Sequence, residues 1–194
     1  RDFVHTVESV HFNIGRYAAQ LPGFLARHTA GGTFACELAR LENAVSQLGD
    51  PEETQPLEPV HLVGMTTDSL MDCRLFPRTA LKLFAFKYPV NNYYLAVKEG
   101  QNPSLPIPEE SFVVVFRHAD VVWRMALAEN EYRLLDKLFA GTRIGVALDE
   151  LQTELDLPED ELSNQVTEWF SHWMRNGLLA WHEYMQEPRT RNNA

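Results

Sequence analysis

Between Phe112 and Leu127 the sequence runs twice in period two, and nothing else in the chain constrains the fold as strongly. Phe112, Val114 and Phe116 alternate with Val113, Val115 and Arg117. Val121, Trp123, Met125 and Leu127 then alternate with Val122, Arg124 and Ala126. Successive side chains of a strand point to opposite faces, so each run reads as a strand. The interval His118-Ala119-Asp120 is short enough for a hairpin. Both faces of the first run are apolar, which predicts that it is covered on both sides.

After the hairpin the period changes to that of a helix. Glu131 to Ala140 places Tyr132, Leu135, Leu138 and Phe139 on one side and ends at Gly141. Val146 to Leu155 places Leu148, Leu151 and Leu155 together. Pro158 opens a third segment in which Leu162, Val166, Trp169, Phe170, Trp173 and Met174 keep helical spacing. Asn176-Gly177 closes it by the left-handed conformation that glycine permits, and Leu178 to Tyr184 reads as a returning strand. Three helices, a glycine turn and a strand are the order of a winged helix, and the preceding hairpin is expected to complete its small antiparallel sheet.

The first half reads mainly helical. Residues 11–28 suggest an extended lead-in followed by a short helix or turn at Pro22-Gly23. From Thr33, the positions of Phe34, Leu38, Leu41, Val45 and Leu48 predict one helical face, leaving Glu37, Arg40, Glu42 and Gln47 on the wet side. Thr67 to Cys73 fits one or two helical turns. Leu75 to Tyr88 is open between strand and helix, and residues 91–97 are plausible helix. Prolines at 103, 106 and 108 make residues 100–108 the best linker candidate. The expected architecture is therefore α+β. A mainly helical domain over 1–104 precedes a winged-helix-like domain over 105–194 with a small antiparallel sheet.

Composition narrows the class. The chain has 194 residues, 45% hydrophobic and 23% charged, which is ordinary for a globular protein. No run approaches the roughly 18–20 apolar residues of a membrane span, and Arg1-Asp2-Phe3 does not open a secretory pattern. Two cysteines, Cys36 and Cys73, do not make a disulfide framework. A soluble, cytoplasmic protein is the expectation. The formal charge of −10 disfavours nucleic acid and anionic membranes. From Glu129 to Gly177 four basic residues stand against eleven acidic ones, and Glu159, Asp160 and Glu161 occupy the turn that would enter a DNA groove. A DNA reader needs Lys and Arg there to neutralise phosphates. A winged-helix DNA-binding regulator is thus the alternative reading, disfavoured by charge.

Catalytic patterns are missing. There is no phosphate-cradling glycine loop and no nucleophile elbow. The histidines at 5, 11, 28, 61, 118, 172 and 182 lack the spacing that aims two at one metal. His172 reads as a surface or hydrogen-bonded histidine and Cys36 as a packing residue, although an enzyme with a dispersed site stays open. No catalytic or metal residue is therefore assigned. The sheet offers a different chemistry, because an unpaired edge exposes N–H and C=O groups to which a peptide can add as a strand. The candidate edges are Phe112, Val113, Val114, Val115, Phe116 and Arg117, or Leu178, Leu179, Ala180, Trp181, His182, Glu183 and Tyr184. Lysines of a basic peptide would meet Glu154, Glu161 and Glu168, which also fit a plain solvated face.

Several segments resemble a known family in their order. They are Phe12-Asn13-Ile14-Gly15, Leu21-Pro22-Gly23-Phe24-Leu25, Leu38-Ala39-Arg40-Leu41-Glu42, Tyr88-Pro89-Val90, Val113-Val114-Val115-Phe116-Arg117, and Glu131-Tyr132-Arg133-Leu134-Leu135 running to Ala140-Gly141. Together they resemble the HvfC/BufC family, commonly labelled a DNA-binding domain, and the short N-terminal part looks most like its MbnC-like branch from methanobactin biosynthesis. That resemblance implies a non-catalytic subunit, similar in plan to a precursor-recognition element, that forms a heterodimer with an MbnB-like iron oxidase. The subunit would recruit the leader of an MbnA-like precursor peptide, whose cysteines become oxazolone and thioamide groups in a copper-binding peptide. The iron would belong to the partner, with no cofactor in this chain.

Overall fold

The computed structural model describes residues 20–28, 32–48, 54–155 and 158–180. In chain order its elements are α1 (Leu21–His28), α2 (Gly32–Gln47), a 3₁₀ turn (Pro59–Leu62), α3 (Thr67–Met71), β1 (Phe76–Pro77), β2 (Leu81–Phe86) and α4 (Val90–Lys98). There follow β3 (Ser111–His118), β4 (Val121–Leu127), α5 (Glu129–Phe139), α6 (Ile144–Leu155), α7 (Glu159–Arg175) and β5 (Leu179–Ala180). The protein is a mixture of helices and small antiparallel sheets, an α+β chain. Among the described residues no helix is long and apolar enough to cross a membrane.

The chain folds as two units, each drawn from two stretches of sequence: Arg1–Pro51 with Lys82–Leu127, and Glu52–Leu81 with Ala128–Ala194. The break expected at residues 104/105 therefore falls inside the first unit, and the hairpin groups with α1, α2 and α4. The proline-rich segment is no free linker, because both of its ends are pinned within that unit. The Gln101 N–H donates to the Ala96 carbonyl and the Glu109 N–H to the Lys87 carbonyl, each at 2.9 Å.

In the first unit the strands run in the order β2-β3-β4. The all-apolar run becomes the middle strand, with Val113, Val114, Val115 and Phe116 buried. The α2 helix forms where the spacing predicts it, and Leu41 and Leu48 are buried as expected. Glu37 is the exception. It was expected on the wet side, yet it is buried. Its carboxylate accepts the Lys87 N–H at both oxygens (3.0 Å each) and the Tyr88 N–H at 3.2 Å. Those amides lie where β2 turns into α4, and a carboxylate satisfies both at once. Arg40, on the exposed face of α2, spreads its guanidinium over Phe84 and Phe86 at 5.5 and 5.6 Å from the ring centres.

In the second unit Trp173 of α7 is fully buried, with the Phe170 ring centre 4.9 Å away. Its indole N–H donates to Glu131 Oε1 at 2.8 Å, and Glu131 Oε2 accepts the Ala128 N–H at the start of α5. A buried carboxylate thus holds α7 to α5. The α7 helix ends in a Schellman turn: the Leu178 N–H reaches the Trp173 carbonyl, the Gly177 N–H reaches that of Met174, and Gly177 takes φ +64. Of the aromatic stripe expected in the core, Leu162 and Trp173 are buried, while Val166, Trp169, Phe170 and Met174 are half-buried. Cys73 is buried too; burial first, and the Asp72 charge second, push its thiol up from the ordinary 9.0. The thiolate needed for reactivity is disfavoured there.

Candidate functional site

An edge for an added strand must be sought at the ends of each sheet; the structure places the first sequence-based candidate in the middle of one and pairs the described part of the second. Phe112–Arg117 lies in β3, whose two sides are occupied by β2 and β4. It has no edge to offer. The physical reason was present in its composition, since a run apolar on both faces belongs in the middle of a sheet. The second candidate is closed as well in its described part. Ala180 pairs with Phe76 of β1 on one side and bridges to Pro56 on the other. The Leu57 N–H donates to the Leu179 carbonyl at 2.8 Å, and the Arg78 N–H to that of Leu178 at 3.2 Å. The buried Arg78 guanidinium reinforces this by donating to the carbonyls of Thr54 and Gly177. Trp181, His182, Glu183 and Tyr184 lie outside the described residues.

The terminal strands of this sheet are β2 and β4, and β4 is an edge that the sequence reading missed. Its register on β3 pairs His118 with Val121, Phe116 with Trp123, Val114 with Met125 and Phe112 with Leu127. The connecting turn is Ala119-Asp120, both with positive φ (47 and 63), the signature of a type I′ turn. In such a hairpin the residues flanking the turn form a hydrogen-bonded pair, and bonded and non-bonded pairs then alternate. Val121, Trp123, Met125 and Leu127 therefore direct their N–H and C=O groups toward β3. Those of Val122, Arg124 and Ala126 point the other way, and among the described residues no strand pairs with that side.

Side chains fit this edge for contact. Val121 and Trp123 are 50% and 52% exposed, on the same face of β4. On the opposite face Arg124 is held in place: its Nε donates to Asn91 Oδ1 at 3.2 Å, and its guanidinium lies 4.4 Å above the Tyr94 ring. Arg117 closes the hairpin by an ion pair to Asp120 at 2.7 Å. A rigid strand thus presents outward amides beside a half-exposed indole. Arg124, in the middle of the second alternating run, was the sequence signal for an edge, because charged side chains guard open strands.

The three expected acidic contacts are in the second unit. Glu154 of α6 is already engaged by Lys137 at 3.0 Å and Arg133 at 3.6 Å. Hydrogen bonds to Glu150 and Glu154 raise the Lys137 pKa above 10.5, so the cation stays with them. Glu161 and Glu168 of α7 remain exposed, and Glu168 borders a shallow open groove with Thr167, Ser171, His172 and Arg175. The groove's hydroxyls are turned back to the helix, Thr167 to the Ser163 carbonyl and Ser171 to that of Thr167. Cys36 donates to the Pro22 carbonyl at 3.3 Å, a packing role. Among the described residues no group of three or more His, Cys, Asp or Glu is arranged to hold a metal ion. The chain matches no protein-family model and no curated protein.

Proposed function

We propose that this chain is a non-catalytic, peptide-recruiting subunit that captures a precursor leader by adding it as a strand along β4. The observation that carries this reading is the edge at Val122, Arg124 and Ala126, unpaired among the described residues, beside the half-exposed Trp123. Main-chain bonds would supply affinity without sequence demands, and Val121 and Trp123 would select apolar residues at alternate positions of the peptide. The partner in this reading is an MbnB-like iron oxidase, which would carry the iron and the oxidative chemistry. The product would be a methanobactin-type, copper-binding peptide with oxazolone and thioamide groups, made in the cytoplasm. The ordered motifs of the HvfC/BufC type support this assignment. The succession α5, α6, α7 and β5 favours a winged-helix-like arrangement, and the acidic opening of α7 disfavours its use on DNA.

The test is a substitution that removes one outward amide and little else. Proline on a free edge leaves the ladder intact, so Ala126→Pro should fold normally and bind a labelled leader peptide at least about ten-fold more weakly, the loss of one or two main-chain bonds. Peptide binding unaltered by Ala126→Pro sinks the strand-addition reading. Co-expression tests the subunit role: an iron oxidase that is stable and active without this chain removes it.

A further inference from the structure

The segment that reads as a linker has the build of a ligand. Pro103, Pro106 and Pro108 fix their own φ, and Asn102, Leu105 and Ile107 each precede a proline and are confined to extended conformations. Only Ser104 between Asn102 and Pro108 keeps ordinary freedom. A chain so restricted follows a polyproline helix, three residues per turn. Burial carries that period: Pro103 and Pro106 are half-buried, while Ser104, Leu105, Ile107 and Pro108 are exposed. One of the three edges is thus turned to the body of the unit, and two are turned away. Leu105 and Pro108 share one outward edge; Ser104 and Ile107 share the other. Leu105 is 74% exposed and Ile107 78%, more than the aliphatic residues of the hairpin.

The rod is also anchored. Gly100, at φ +79, ends α4 and redirects the chain, with the Gln101 N–H on the Ala96 carbonyl. At the far end the Glu109 N–H donates to the Lys87 carbonyl, and Ser111 Oγ donates to the Tyr88 carbonyl at 2.7 Å. A docking partner would meet a segment whose ordering entropy is already spent. Its flanks carry Glu99, Glu109 and Glu110, while the neighbouring Lys98 ammonium lies over the Tyr94 ring at 5.4 Å. The rim of the complementary surface must therefore be basic.

We infer that residues 102–108 form a preformed docking ridge for the catalytic subunit, inserting Leu105 and Ile107 into an aromatic-lined groove edged by Lys or Arg. Leu105 with Pro108 on one outward edge, and Ile107 on the other, give the ridge the two apolar sides that an aromatic-lined groove grips in a polyproline ligand. This inference rests on the subunit role proposed above and assigns that role a surface separate from the β4 edge. It is tested with the full chain, an MbnB-like iron oxidase subunit and a labelled leader peptide. The double variant L105D/I107D should keep the thermal midpoint and the peptide affinity of the native chain, and lose at least ten-fold in affinity for the oxidase. E109K/E110K should lose less, and its deficit should shrink as salt rises. Native-level oxidase binding by L105D/I107D overturns the ridge and leaves the subunit role standing. A native chain that never binds the oxidase overturns both. A homodimer that L105D/I107D converts to monomer makes a second copy the occupant and also overturns the proposal.

Discussion

The two small sheets of this molecule finish in opposite ways. In the second unit, β1 flanks the described part of β5, Leu179–Ala180, on one side and Pro56-Leu57 on the other, with Arg78 bonded across. In the first unit, β4 is seven residues long and its outer side is bare among the described residues. Among the described residues, Leu179 and Ala180 are enclosed by their own chain, and no strand pairs with the outward groups of β4. Closure serves stability; an unpaired edge keeps the backbone groups that a further strand would need.

The largest effect should come from the closed region. Trp173→Ala removes a fully buried ring and leaves the Glu131 carboxylate without its indole donor, a loss of about 3–5 kcal/mol in urea denaturation. Amide exchange should quicken more at Leu178 and Leu179 than at Val113–Val115. Equal acceleration breaks the comparison. Next come two neighbouring prolines on β4. Met125→Pro removes an inward N–H from the ladder and should cost about 3 kcal/mol, whereas Ala126→Pro should cost under about 1 kcal/mol. A thermal melt separates them, and a reversed order means the outward residues have been assigned to the wrong register.

Glu37→Gln sharpens the view of how the first unit is held. A neutral amide retains one acceptor in place of two carboxylate oxygens, so stability should fall by about 1–2 kcal/mol, read from the urea midpoint. The smallest change is a gain. Ala119 has φ 47, where a Cβ is crowded, and Ala119→Gly should raise the melting temperature by an amount equivalent to about 1 kcal/mol or less. A lower melting temperature argues against the type I′ turn and with it the alternation of bonds along β4.

Much of this architecture is written in local pattern. The hairpin, the α2 helix, the helices opened near Glu129, Ile144 and Pro158, and the left-handed Gly177 all follow from periodicity and capping that a few adjacent residues decide. What the sequence concealed was long-range. Leu75 to Tyr88 is ambiguous because β1 is two residues long and exists through its pairing with β5, about a hundred positions away. Glu37 looks like a solvent-facing residue until Lys87 and Tyr88 arrive beside it. Prolines at 103, 106 and 108 mark an irregular segment equally well whether it swings free or is tied at both ends. The edge itself was half legible: the apolar symmetry of β3 and the arginine in β4 hold the answer, but strand order is settled by pairings that no local pattern encodes.

A bare strand margin is a hazard as well as a facility, since identical molecules can zip together along it and begin fibrils or precipitates. The overall charge of −10 works against this by keeping copies of the chain apart. That protection is ionic and weakens in concentrated salt, so the isolated protein is safest dilute and at low ionic strength.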